Sequence, residues 1–158
     1  MKTRKQSTTP RRSRAAGAAP PQPADQPAAN PERGEHELTL AGVTYRLRPA
    51  HGAIQAIEQK TERSLLTLVR LASLGELMLD QMAIVAVELI RAGADPKDQA
   101  TRHVGAKRIG ELIFEEGLPR VMSRLTLCLA DAASGGRDAE GNAKAAPVMS
   151  TSGDAGAA

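Results

Sequence analysis

Residues 38–47 alternate strictly between apolar and polar side chains, and then the period changes. Leu38, Leu40, Val43, Tyr45 and Leu47 are apolar, while Thr39, Thr44 and Arg46 lie between them. Successive strand residues point to opposite faces, so this pattern reads as two strands with one apolar face. Ala41-Gly42 between them is a two-residue hairpin turn, with Gly42 free to take positive φ. A hairpin alone is marginal in water and needs a cover for its apolar face. The cover follows directly in the chain. Pro49 cannot continue a strand ladder, and beyond it Ala53, Ile54 and Ile57 recur at helical spacing.

The helical pattern continues to residue 134. A first helix is expected over 51–60. Lys60-Thr61-Glu62-Arg63 interrupts it, and Ser64 is placed to cap a second helix of Leu65, Leu66, Leu68, Val69 and Leu71 that ends at Leu74-Gly75. A third helix is predicted over 79–92, so widely apolar that it must be buried on several sides, with Gly93 as a left-handed cap. A fourth is predicted over 99–116, with Val104, Ile109, Leu112 and Ile113 inward. Gly105 and Gly110 weaken it. Pro119 then opens a fifth, running to about 132, with Val121, Leu125, Cys128 and Leu129 inward. The expected class is α+β, mainly α: an N-terminal β-hairpin packed on about five helices.

Composition sets the limits of this domain. Residues 1–34 are rich in Pro, Ala, Arg, Ser and Thr and lack bulky apolar side chains after Met1, so a disordered basic tail is expected. The Gly/Ala-rich stretch 135–158 is read the same way, which leaves 35–134 as one domain. The tail 1–34 holds seven basic and two acidic residues, a net +5, whereas the remainder holds 14 basic and 16 acidic, a net −2. The overall charge of +3 therefore belongs to the tail, and the core advertises no nucleic-acid surface. One Tyr, one Phe and no Trp exclude a base-stacking platform. A single cysteine, no signal-like leader and no long apolar run point to a cytoplasmic protein.

The residues offer no chemistry. His36, His51 and His103 fall in no ligand pattern, Cys128 is expected to be a buried thiol, and neither phosphate-binding nor nucleophile motifs occur. No catalytic, cofactor-binding or metal-binding residue is assigned. Glu58 is expected to pair with Arg48 or Arg63, and Glu115-Glu116 to be a solvated helix end. Arg102, Lys107 and Arg108 on the fourth helix raise a helix-turn-helix reading, which the acidic core disfavours.

An ordered series of short motifs carries more information. Asn30, Pro31, Arg33, Gly34 and Glu35 are followed by Gly42, then by Tyr45, Leu47, Arg48 and Pro49, then by Ile57 and Glu58, and then by Ser64 and Leu65. Ala92-Gly93 and Gly117-Leu118 complete the series. Over about 30–134 the chain resembles the phage tail-assembly-chaperone-like family of gene transfer agents and related prophages, also labelled a gene transfer agent tail tube protein. Glu62 stands where that family usually has Gly, which argues against a left-handed cap there, and His51 where an aromatic is more usual. The resemblance implies a non-enzymatic chaperone that binds the tape measure protein and other tail proteins in the host cytoplasm. Met78 and Met82, with flexible thioethers, are the candidate contact residues for such a partner, with core filling the more usual use of each. The alternatives are a tail tube component retained in the phage-like particle, and a DNA-binding regulator acting through the basic tail. Self-association is left open, and no small-molecule substrate or membrane is implied.

Overall fold

In a computed structural model, residues 28–135, 137–140, 142 and 144 are described. The element order is a short 3-10 turn at Pro31–Arg33, β1 (His36–Leu40), β2 (Val43–Leu47), α1 (His51–Thr61), α2 (Leu65–Leu74), α3 (Leu79–Gly93), α4 (Gln99–Arg102), α5 (Ala106–Glu116) and α6 (Leu118–Ser134). The class is the expected one, with six helices instead of five. The sequence-based tail assignments fall largely outside the described residues.

β1 and β2 pair antiparallel, with Leu40 opposite Val43 and His36 opposite Leu47. Ala41 and Gly42 both take positive φ, 49° and 78°, the geometry whose twist matches the flanking strands. Leu38, Leu40 and Leu47 are fully covered, and Tyr45 packs partly buried against the same core. α3 is the central element. It packs against β2, α1, α4, α5 and α6, while α6 covers β1 and supports α2. Ten of its residues are buried, Gln81 and Glu88 among them, as its lack of a polar face requires.

Gly93 does not end α3 as a left-handed cap. It lies within the helix, and the cap residue Ala94 is extended with φ −64°. Its reason is proximity: a Cβ at Gly93 would lie 2.0 Å from the Arg46 carbonyl oxygen. The Arg46 guanidinium reaches back to the Gly93 carbonyl through Nε at 2.8 Å and Nη2 at 2.6 Å. The Arg48 N–H donates to the Leu89 carbonyl at 3.1 Å. Together these contacts weld the end of β2 to the last turns of α3.

The expected fourth helix is broken in two at residues 103–105. Asp98 caps α4 by accepting from the Thr101 N–H, and Gly105 is extended as the N-cap of α5. Arg91 of α3 donates to the Val104 carbonyl from Nε at 3.1 Å and Nη2 at 2.6 Å. A helix through 104 would need that carbonyl for its own ladder, so the tertiary bond stabilises the break. Arg91 also meets Glu88 at 3.0 Å, and Lys60 of α1 reaches the same carboxylate oxygen at 2.7 Å.

α2 begins and ends as the sequence implies. Ser64 accepts from the Thr67 N–H at 3.3 Å, and Gly75 at φ 74° closes the helix. Before it, Glu62 ends α1 in the left-handed region, φ 53° and ψ 32°, although it is not glycine. An L side chain there costs on the order of 1–2 kcal/mol, so Glu62→Gly is expected to raise folding stability by about 1 kcal/mol in urea denaturation. An unchanged midpoint would show that Glu62 has a compensating contact.

Two segments assigned to tails by composition are packed. Asn30 accepts from the Glu32 N–H at 2.9 Å, and Gly34 at φ 65° closes the 3-10 turn. Beyond α6, the Ala139 carbonyl accepts from the His51 N–H at 3.0 Å, where α1 has no side-chain cap. The Arg48 guanidinium donates to the Glu140 carbonyl, and the Arg137 guanidinium lies against Gly34, where a Cβ would push it aside.

Candidate interaction surface

The motif residues are placed as structural parts. Gly42 turns the hairpin, Leu47, Pro49 and Ile57 are buried, and Tyr45 is half-buried. Burial pushes the Tyr45 phenol above its usual range; nearby Arg108 partly offsets this and Asp98 adds to it. Glu58 pairs with neither Arg48 nor Arg63 in the hydrogen bond it makes here. Its Oε1 accepts from the Leu65 N–H at 2.7 Å, beside the Ser64 cap, so both residues serve the exposed donors at the start of α2.

The electrostatic centre missed by sequence reasoning is Glu35, which is 3% exposed. Its Oε2 accepts from the Asn30 N–H at 3.0 Å and lies 3.9 Å from Arg46 Nε; its Oε1 lies 3.7 Å from Arg48 Nε. At that distance they form an ion pair without a hydrogen bond, and among the described residues neither Glu35 Oε1 nor Arg48 Nε has a hydrogen-bond partner. Glu35 directly precedes β1, Arg46 lies in β2 and Arg48 just after it, and alternation carried one residue past β2 puts 46 and 48 on one side; that spacing was the available signal.

The histidines are separated. His36 Nε2 lies 2.6 Å from Asp131 Oδ2, His103 Nδ1 lies 2.9 Å from the Gln99 carbonyl, and His51 is exposed. Among the described residues no group of three His, Cys, Asp or Glu is arranged to hold a metal, and no helix is long and apolar enough to cross a membrane. Cys128 is fully buried, with its Sγ 3.8 Å from the Gly34 carbonyl. Burial, reinforced by Asp131, pushes its thiol up to about 12 from 9.0. The folded chain therefore holds this proton more tightly than the unfolded one. That contribution is complete below pH 9 and is lost as pH rises towards 12. Cys128 is expected to resist alkylation near pH 8 in the native state and to react at once in denaturant; rapid native labelling would contradict the burial.

Five large apolar side chains stay exposed. Leu66, Leu74, Met78, Phe114 and Leu127 each keep half or more of their surface in solvent. Met82, a candidate contact residue with core filling as its more usual use, is fully buried and fills the core, while Met78 stays exposed. Phe114, the chain's one phenylalanine, is 70% exposed on the wall of a groove of about 670 Å³ between α3 and α5. Leu79, Ala83, Ile84, Ala106 and Gly110 form the rest of its apolar lining, with Asp80, Lys107 and Glu111 beside them. Its shallow floor comes from small residues, since a Cβ on Gly110 would already meet the Ala83 Cβ at 3.4 Å. A smaller hollow of about 370 Å³ lies between α2 and α6, beside Leu127. Large exposed apolar groups around a groove mark a surface for another protein. The arrangement suits an apolar helix face laid between two helices.

No curated protein and no solved structure matches the chain. A family model does match, described as phage tail tube protein, GTA-gp10, over residues 33–113. That span covers both strands, α1 to α4 and α5 as far as Ile113, so it takes in the lining of the groove except Phe114, which lies one residue beyond it. The chain belongs to the GTA-gp10 phage tail tube protein family and is a phage tail protein.

Proposed function

We propose that the chain is a non-enzymatic assembly chaperone of the tail, one that binds a helix of the tape measure protein and leaves before the particle is complete. The observation that carries this reading is the α3–α5 groove, with Phe114 standing exposed at its wall. Met78, which precedes α3 and is exposed, is the contact residue that remains from the sequence reading. A flexible thioether suits a surface that must bind and release. The working unit in this reading is the domain at 35–134 with its cap at 30–34, acting in the host cytoplasm among other tail proteins.

The second reading, a tube component kept in the particle, is favoured by the family's description. Against it stands the sheet content, since the described residues hold one sheet of two strands, whereas a tube wall built by strand pairing needs more. Co-purification of the tagged chain with its neighbouring tail proteins decides between them. Recovery with the tape measure protein in the free fraction and absence from finished particles supports the chaperone. A stoichiometric presence in particles establishes the tube component. Recovery of nucleic acid alone would return the basic N-terminal segment to the centre of the function.

A further inference from the structure

The groove has a complementary shape elsewhere on the same molecule. On α2, Leu66, Arg70 and Leu74 are exposed at positions i, i+4 and i+8, which places them on one helix face. Leu66 is 72% exposed and Leu74 63%, values more usual for lysine than for leucine in a finished surface. Arg63, just before the Ser64 cap, is also exposed, and α2 itself carries no acidic residue. Neither Arg63 nor Arg70 makes an ion pair among the described residues. The groove presents the opposite charge. Asp80 and Glu111 lie in its lining with Lys107, and Glu115 follows Phe114. Glu111 is already met by Arg108 at 3.3 Å, which leaves Asp80 and Glu115 as the unpaired acidic charges of this rim among the described residues.

We propose that the α3–α5 groove receives α2 of a second copy of this chain. Leu66 and Leu74 seat against Phe114 and the apolar lining, and Arg63 and Arg70 face Asp80 and Glu115. Helix-in-groove recognition uses anchors at this spacing, and the charges set orientation more than affinity. The inserting and receiving surfaces are different. α2 packs chiefly on α6, while α5 packs chiefly on α3. The contact is therefore heterologous, and joins copies head to tail into a ring or an open chain. It rests on the reading of the groove as a helix site, and it adds a regulation. Copies guard one another's grooves until a tail partner's helix displaces α2.

The test uses the full-length chain in sedimentation velocity over a concentration series. An inserting variant, Leu66→Glu with Leu74→Glu, and a receiving variant, Asp80→Lys with Phe114→Lys, change only exposed side chains, and circular dichroism checks that both keep their helix content. Wild type is expected to form species larger than a dimer as concentration rises. Each variant alone is expected to remain monomeric, and their equimolar mixture to form one-to-one dimers and nothing larger. A wild type that stays monomeric, a single variant that assembles as wild type does, or a mixture that stays monomeric overturns the proposal. If the monomeric wild type still recovers the tape measure protein and the receiving variant does not, the chaperone reading survives while self-association falls. If wild type assembles but recovers no tail partner, the reverse holds.

Discussion

Gly93→Ala is expected to destabilise the fold by about 3 kcal/mol, at the upper end of the usual cost of overpacking. The added Cβ would sit 2.0 Å from the Arg46 carbonyl oxygen and 2.8 Å from its carbon, and both are backbone atoms of β2. A flexible side chain could swing away, but a strand paired on its other side to β1 cannot. Relief requires α3 and β2 to separate, which also draws out the two Arg46 hydrogen bonds to the Gly93 carbonyl and the Arg48 bond to Leu89. Urea denaturation with linear extrapolation measures the loss. Gly110→Ala is the control. Its Cβ meets only the Ala83 methyl, at 3.4 Å, and alanine is the better helix former, so it is expected to be neutral or stabilising by up to about 1 kcal/mol. Equal losses in the two variants would mean that close approach is not what requires glycine at 93.

Glu35→Ala is expected to cost about 2 kcal/mol, because it removes the buried carboxylate that, among the described residues, is the counter-charge of the partly buried Arg46 and Arg48 guanidinium groups. It also removes the acceptor for the Asn30 N–H, so the 3-10 turn at Pro31–Arg33 should fray. Glu35→Gln keeps an acceptor for Asn30 but loses the charge facing Arg46 and Arg48, and an intermediate loss is expected. Hydrogen exchange at Asn30, Gly34 and Glu35 separates the two contributions. Fast exchange in the Ala variant with protection kept in the Gln variant is the expected pattern. If both variants match wild type in stability, the Glu35 cluster is electrostatically idle, and the long 3.7 Å and 3.9 Å approaches would be the reason.

The features legible in the sequence were those generated by neighbours along the chain. Strand alternation with Ala41-Gly42 set the hairpin and its register, since a slip of one residue would turn Leu38, Leu40 and Leu47 to solvent. Ser64 and Gly75 bounded α2 because capping is local chemistry. The stripe Val121, Leu125, Cys128 and Leu129 gave the buried face of α6 through its spacing alone. The motif series likewise led to the family, because order and spacing along the chain are all that it requires.

What the tertiary structure decided lies between elements distant in sequence. Helical propensity runs through Val104, yet Arg91 takes its carbonyl and α4 separates from α5. Glycine at 93 looked like a terminator, and only the nearness of Arg46 shows that it is a contact. Glu62 adopts a conformation its type disfavours at the point where α1, packed on α3, gives way to α2, packed on α6. Glu58 had charged candidates close in sequence but bonds a backbone N–H seven residues on. The groove is the clearest case. Ala83, Ala106, Gly110 and Phe114 lie on two helices, and no periodicity within either records that their small residues meet and leave Phe114 in solvent. Periodicity tells which face of an element is apolar; which of those faces are covered depends on how the elements pack, and the uncovered ones carry the function proposed for this chain.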